Sequence, residues 1–344
     1  MELFYDASTA PLQAGLKKPH EEHVCRQIGA AATRLDDTDT VTAPRRTSAD
    51  TGFSYVSQHD TMRLCAPTGV TSDTRQHTRK TPVLFIHGLW LHAASWQPWV
   101  CYFNRAGYLA MAPGWPDFQP TVALSRVYPE CVHDVTLGQV VEHYVRIIKS
   151  LRVRPVVIGH AYGGLVALRL LDRRVAAAVI AIDPIPVKGV WPLPLSQLRV
   201  ALPVLANPYA LHGSVSLRPR QFRYAFANRL SEAEAATIYE AWTIPAPGRP
   251  LWEVMTANFV RQPPTAVRVS RCRAPLLLMS GLRDRIVTPE TTRAVQRLYK
   301  KSPSHTDLKE WPGRGHSLVV DRGWVDLADY ALAWLQARRL GQGS

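Results

Sequence analysis

Five apolar residues in a row, Pro82-Val83-Leu84-Phe85-Ile86, begin a regular alternation of hydrophobic patterns along this chain. An uninterrupted run of this length fits a strand buried on both faces of a parallel sheet. Similar strands are predicted at 108–112, 156–160, 176–182 and 275–280, with a last one at 307–311. Between them apolar residues return at helical spacing. Residues 136–151 carry Val140, Val141, Tyr144, Ile147 and Ile148 on one face. Helices are also predicted over 96–106, 289–299 and about 324–338. Strands and helices alternating at this spacing mean βαβ units, and so an α/β fold with a doubly wound, mostly parallel sheet.

The rhythm is absent at two places. Residues 1–50 are rich in Thr, Ala, Asp and Arg without a sustained period, and read as a disordered or loosely attached arm. Residues 53–65 alternate weakly, as an early antiparallel strand pair would, and 68–80 are polar and turn-like. From 187 to 264 prolines are frequent and aromatics recur, Trp191, Phe222, Trp252 and Phe259 among them. That stretch predicts a helical cap inserted over the sheet, leaving a core of 51–186 and 265–344.

With 344 residues, 46% hydrophobic and 20% charged, the chain has the makeup of an ordinary globular protein. Its net charge of +14 raises the question of nucleic acid or an anionic surface. The 33 arginines and eight lysines are scattered, however, with no basic run interleaved with aromatics, so no nucleic-acid partner is expected. Five separated cysteines, none in a C-x-x-C, predict neither a zinc site nor a disulfide framework. No signal-peptide pattern opens the chain and no run approaches the ~18 apolar residues of a membrane span. A cytoplasmic location is the expectation, and the oligomeric state is left open.

Chemistry concentrates at Gly159-His160-Ala161-Tyr162-Gly163, where a β-branched strand stops at a glycine and a helical pattern starts. This is the layout of a nucleophile elbow, G-x-S-x-G, in which the glycines let strand and helix approach closely around a strained central residue. Here the central position is Ala161, and a methyl group cannot attack a carbonyl. Other strand ends carry His87-Gly88, Asp183-Pro184, Asp284 and Gly315-His316. His87 and His160 read as packed structural histidines, and Asp183 as a cap on the turn before Pro184.

The order of elbow, acid and histidine, each at a strand end, resembles the α/β-hydrolase superfamily over residues 82–338. The resemblance implies that Asp284 orients His316 and that the backbone N–H groups of Leu89 and Tyr162 form an oxyanion hole. It implies a small hydrophobic substrate with an ester-like bond, with Trp90 and Trp191 as candidate pocket residues. No metal or organic cofactor is implied, since no ligand cluster or phosphate-binding loop is present.

Ala161 leaves three expectations open. The chain is an esterase-like hydrolase whose serine has been lost, by engineering or in nature. Or His316 and Asp284 work as a general-base pair without a covalent intermediate, as in lyase, cyclase or cofactor-free oxygenase chemistry. Or the chain is a non-catalytic relative that binds a ligand.

Overall fold

The computed structural model describes residues 80–191 and 206–341. The expected arm at 1–50 and strand pair at 53–65 lie outside the described residues.

In chain order the elements are β1 (Pro82–Ile86), α1 (Gln97–Arg105), β2 (Leu109–Met111), α2 (Val122–Val127), α3 (Leu137–Ser150), β3 (Val156–His160), α4 (Tyr162–Asp172) and β4 (Ala178–Ile182). A more irregular stretch follows, with β5 (Ser214–Val215), α5 (Pro219–Ala225), α6 (Glu232–Trp242), β6 (Ala246–Pro247) and α7 (Arg249–Met255). The regular rhythm resumes with β7 (Leu276–Gly281), α8 (Pro289–Tyr299), β8 (Thr306–Trp311) and α9 (Trp324–Ala337).

Six strands form one sheet in the order β2-β1-β3-β4-β7-β8, and every neighbouring pair is parallel. Every residue of β1, β3, β4 and β7 is buried, which is why these strands read as continuous apolar runs. The edge strand β8 is half-buried throughout and alternates polar residues accordingly. Trp96, Trp99 and Phe103 gather on Phe85 of β1, with ring centroids 5.0 to 5.9 Å from it. Such offset and edge-on pairs contribute about 0.5–1.5 kcal/mol each beyond the area they bury.

The helix starts follow local sequence chemistry. Thr136 Oγ1 accepts from the Gln139 N–H, and the Gln139 side chain accepts in return from the Thr136 N–H, a capping box that opens α3. Ser231 and Glu234 do the same for α6.

Three features differ from the sequence reading. Helix α2 and the turn after it had no legible period, being six and four residues long. The two-residue strands β5 and β6 pair antiparallel within the irregular stretch, too short to show an alternation. Finally, Cys101 and Cys131 are disulfide-bonded, whereas no disulfides were expected. Spacing along the chain carries no signal for such pairing, because partners meet only through the fold. No described helix is long and apolar enough to cross a membrane.

Candidate functional site

The site forms at the carboxyl ends of the parallel strands, where open α/β sheets leave a crevice. Its centre is the turn from β3 into α4. Ala161 has φ 52° and ψ −115°, a conformation that costs a residue with a Cβ of the order of 1–3 kcal/mol. The turn is this tight because the two glycines allow no side chain. A Cβ on Gly159 would lie 2.1 Å from the Gly163 carbonyl oxygen, and one on Gly163 would lie 2.1 Å from that of Ile86. The turn is tied to β4 on both sides. The Ala161 N–H donates to the Ile182 carbonyl, and the Ala161 carbonyl accepts from the Ile185 N–H.

Gly88, at the end of β1, faces this turn. A Cβ there would come 3.2 Å from the Ala161 Cβ and 3.6 Å from the Tyr162 nitrogen. Gly88, next to Leu89, is thereby brought against the start of α4. Leu89 and Trp90 are both buried, and the Trp90 indole N–H donates to the Val215 carbonyl. Trp191, the other candidate pocket residue, is 54% exposed, and its ring packs edge-on against Phe259.

Asp284 and His316 come from the ends of β7 and β8 and meet below the surface. His316 Nδ1 is 2.6 Å from Asp284 Oδ2. Asp284 Oδ1 accepts from the Ile286 and Val287 N–H groups at 2.6 and 3.0 Å. With both oxygens engaged, the carboxylate is fixed in position and holds the proton of His316 on Nδ1, leaving Nε2 as the basic nitrogen. The His316 ring lies 4.5 Å from that of His160, the residue before Ala161, which sets the pair beside the elbow. Phe226, at the end of α5, packs edge-on against His316 at 5.2 Å and stacks on Phe222. The irregular stretch therefore supplies an apolar wall to the histidine.

His87 and His160 take the packed places expected of them. His87 is fully buried, Nδ1 bonded to the Gly88 carbonyl at 2.8 Å and ring stacked on Trp115, and burial lowers its pKa to about 3. His160 is also pushed well below the usual range, by burial first and by His316 second. Both are neutral at physiological pH.

Asp183 does not cap its own turn, as the sequence reading expected. It is fully buried at the end of β4, and its Oδ1 accepts from the Gly281 N–H of β7 at 2.9 Å. The parallel register of β4 and β7 brings the two together across 98 positions of sequence. Burial first, and the adjoining Asp284 carboxylate second, push its pKa well above the usual carboxylate range. Asp183 thus lies next to the Asp284–His316 pair with its protonated form favoured.

Among the described residues, His160, Asp183 and His316 form the one group whose ligand atoms, all within 4.8 Å of one another, could close on a metal ion.

A parallel sheet flanked by helices, with a strained elbow and an acid–histidine pair at its strand ends, defines a protein of the α/β-hydrolase class. The chain belongs to the α/β-hydrolase family, whose model matches residues 83–330. Among solved structures it is similar to a putative non-heme bromoperoxidase from Mycobacterium tuberculosis H37Rv. That match has a TM-score of 0.56 and 17% identity, over 76% of this chain and 93% of that one. It is also similar to an extracellular α/β-hydrolase from a Paenibacillus species, with a TM-score of 0.55 and 16% identity over 74% and 98% of the two chains. A monoacylglycerol lipase from Paleococcus ferrophilus matches with a TM-score of 0.52 and 20% identity over 74% and 95%. At these identities the likeness is one of fold. None of the curated proteins matches the sequence significantly.

Proposed function

We propose that this chain carries a site for ester-like bonds of small hydrophobic molecules, in which Ala161 stands at the nucleophile position. The observation that carries this reading is the 2.6 Å bond between His316 and Asp284, buried beside an elbow strained at Ala161. In this reading Leu89 and Tyr162 N–H groups face a developing oxyanion, and the covalent route is closed for want of a hydroxyl. Residues 187–264 act as the cap, with Trp90 and Trp191 as candidate contacts of the bound molecule. The names of the solved neighbours, a lipase and a hydrolase among them, support the ester-like class.

The intact acid–histidine pair favours a second reading. A neutral His316 can take a proton from a bound substrate or a water, with Asp284 stabilising the imidazolium. Positioned general bases of this kind contribute about 10²–10⁴-fold. The non-catalytic ligand-binding reading gives that pair no task.

Of the compartment, one observation weighs against the cytoplasm. Cys101 and Cys131 are disulfide-bonded, and disulfides persist in oxidising surroundings.

The deciding experiment is Ala161→Ser, assayed with a short activated ester and followed by intact mass. The expected outcome is hydrolysis above the parent together with an acyl adduct on residue 161. His316→Ala placed in the same variant should abolish both. A folded serine variant that forms no adduct and hydrolyses nothing would overturn the acyl-transfer reading. Turnover of the parent chain that survives His316→Ala undiminished would overturn the general-base one.

A further inference from the structure

The arginines and lysines that look scattered in the sequence are gathered by the fold. In a parallel sheet every strand enters from the same edge, so the residues just before each strand share one end of the molecule. Here those segments are basic. Arg152 and Arg154 precede β3, Arg174 precedes β4, Arg271 precedes β7, and Lys300 and Lys301 precede β8. All six side chains belong to exposed residues, and none has a carboxylate partner among the described residues. The segments 151–155, 173–177, 270–275 and 300–305 contain no Asp or Glu. Carboxylates of the adjoining elements are engaged with other residues. Glu142 pairs with Arg173, Asp172 with Arg169 and Arg268, and Asp307 with Arg338 and His305.

The strands β3, β4, β7 and β8 are consecutive in the sheet, so their entry loops span about 15 Å at the usual strand spacing. Each loop then lies within about one physiological Debye length of the next, and their fields add. Two aliphatic residues are exposed at the same end, Val153 between Arg152 and Arg154, and Leu109 at the first position of β2. No exposed large aromatic lies in these entry segments to offer a base a stacking surface. The candidate site is at the opposite edge of the sheet.

We propose that the strand-entry edge is a docking face for an anionic lipid bilayer. Clustered Lys and Arg bind acidic headgroups, and the exposed Val153 and Leu109 add shallow apolar contact. Docked by this edge, the chain keeps the carboxyl ends of its strands turned to the aqueous side, so the bound molecule reaches the site from solution.

The test is flotation of the full chain with vesicles of phosphatidylcholine, with and without one-third phosphatidylserine, at low and near-physiological salt. Binding is expected to be at least about tenfold greater on the acidic vesicles and to weaken with salt. The variants R152E/R154E and K300E/K301E should each lose most of it, with unchanged thermal midpoints. The control R218E/R220E, equal in charge change but outside the strand entries, should keep it. Equal loss in all three variants would show an effect of net charge alone and overturn the proposal. So would binding indifferent to phosphatidylserine, or capture of duplex DNA by a chain that ignores the vesicles.

Discussion

Asp183 is a buried carboxyl whose pKa is displaced upwards, and its stability effect has a definite sign. Its folded pKa is raised by burial and by Asp284, while in the unfolded chain it titrates near the ordinary value of about 3.9. Between those two values the folded state holds a proton that the unfolded state has released. Its contribution to stability therefore falls as pH rises from about 4 through the folded pKa. Asp183→Asn keeps an oxygen for the Gly281 N–H and removes the titration. The variant should be more stable than the parent at neutral pH, by about 1.4 kcal/mol for each tenfold of raised proton affinity. The difference should shrink towards pH 4. Urea unfolding of both chains between pH 4 and 8 reads this directly, and a variant less stable at neutral pH would refute the raised pKa of Asp183. Asp284 and His316 were legible in the sequence because each follows a strand in the order the family uses. The role of Asp183 was not, because its partner Gly281 is a neighbour only through strand register.

At the scale of the element, the strand–elbow–helix of β3 and α4 was readable from its glycines, and the structure supplies their reason. Gly163 lies so close to β1 that an added Cβ would lie 2.6 Å from the His87 carbonyl oxygen as well as 2.1 Å from that of Ile86. Both obstacles are backbone, which cannot rotate away. Gly163→Ala should therefore cost more than about 3 kcal/mol, at the severe end for a single substitution, or prevent folding. Gly138, in the first turn of α3, has nothing closer to an added Cβ than the Thr136 hydroxyl at 3.8 Å. There the same substitution should stabilise by about 0.5–1 kcal/mol through helix propensity. Denaturant midpoints of the two variants test the contrast, and similar effects at both sites would contradict the close-approach account. Short elements such as α2, β5 and β6 were not legible, because two to six residues do not complete a detectable period.

At the scale of the whole molecule, the last helix buries an apolar face in the core, and one carboxylate of the sheet ties down its end. Asp307 of β8 accepts from the Trp334 indole N–H at 2.6 Å and pairs with Arg338, both on the final turns of the chain's described part. The Trp334 ring is covered in turn by the Arg338 guanidinium, 4.1 Å from its centroid. Asp307→Ala leaves an indole N–H and a half-buried guanidinium without their acceptor. A loss of about 1–3 kcal/mol is expected, with amide exchange quickened first in α9 and β8. Uniform quickening across the sheet would mean that this contact does not hold α9 separately. At the same scale the sequence reading of scattered charge was correct as a statement about the chain and incomplete about the molecule. Four basic segments between 152 and 301 share one edge only after the strands align.

The sequence by itself determined what depends on local burial and local geometry. Apolar runs marked the strands, a 3.6-residue recurrence marked the helices, and Gly159 and Gly163 marked the place where backbone must meet backbone. It also determined the chemistry that Ala161 withholds, since no fold can give a methyl group a nucleophilic oxygen. The tertiary structure alone decided what depends on register between distant segments. That includes the buried Asp183 beside Asp284, the Phe226 wall against His316, the bonded state of Cys101 and Cys131, and the basic edge. The reason is physical: a residue's periodic pattern records whether it is buried, whereas its partners are set by which strands lie side by side, and that is a property of the whole sheet.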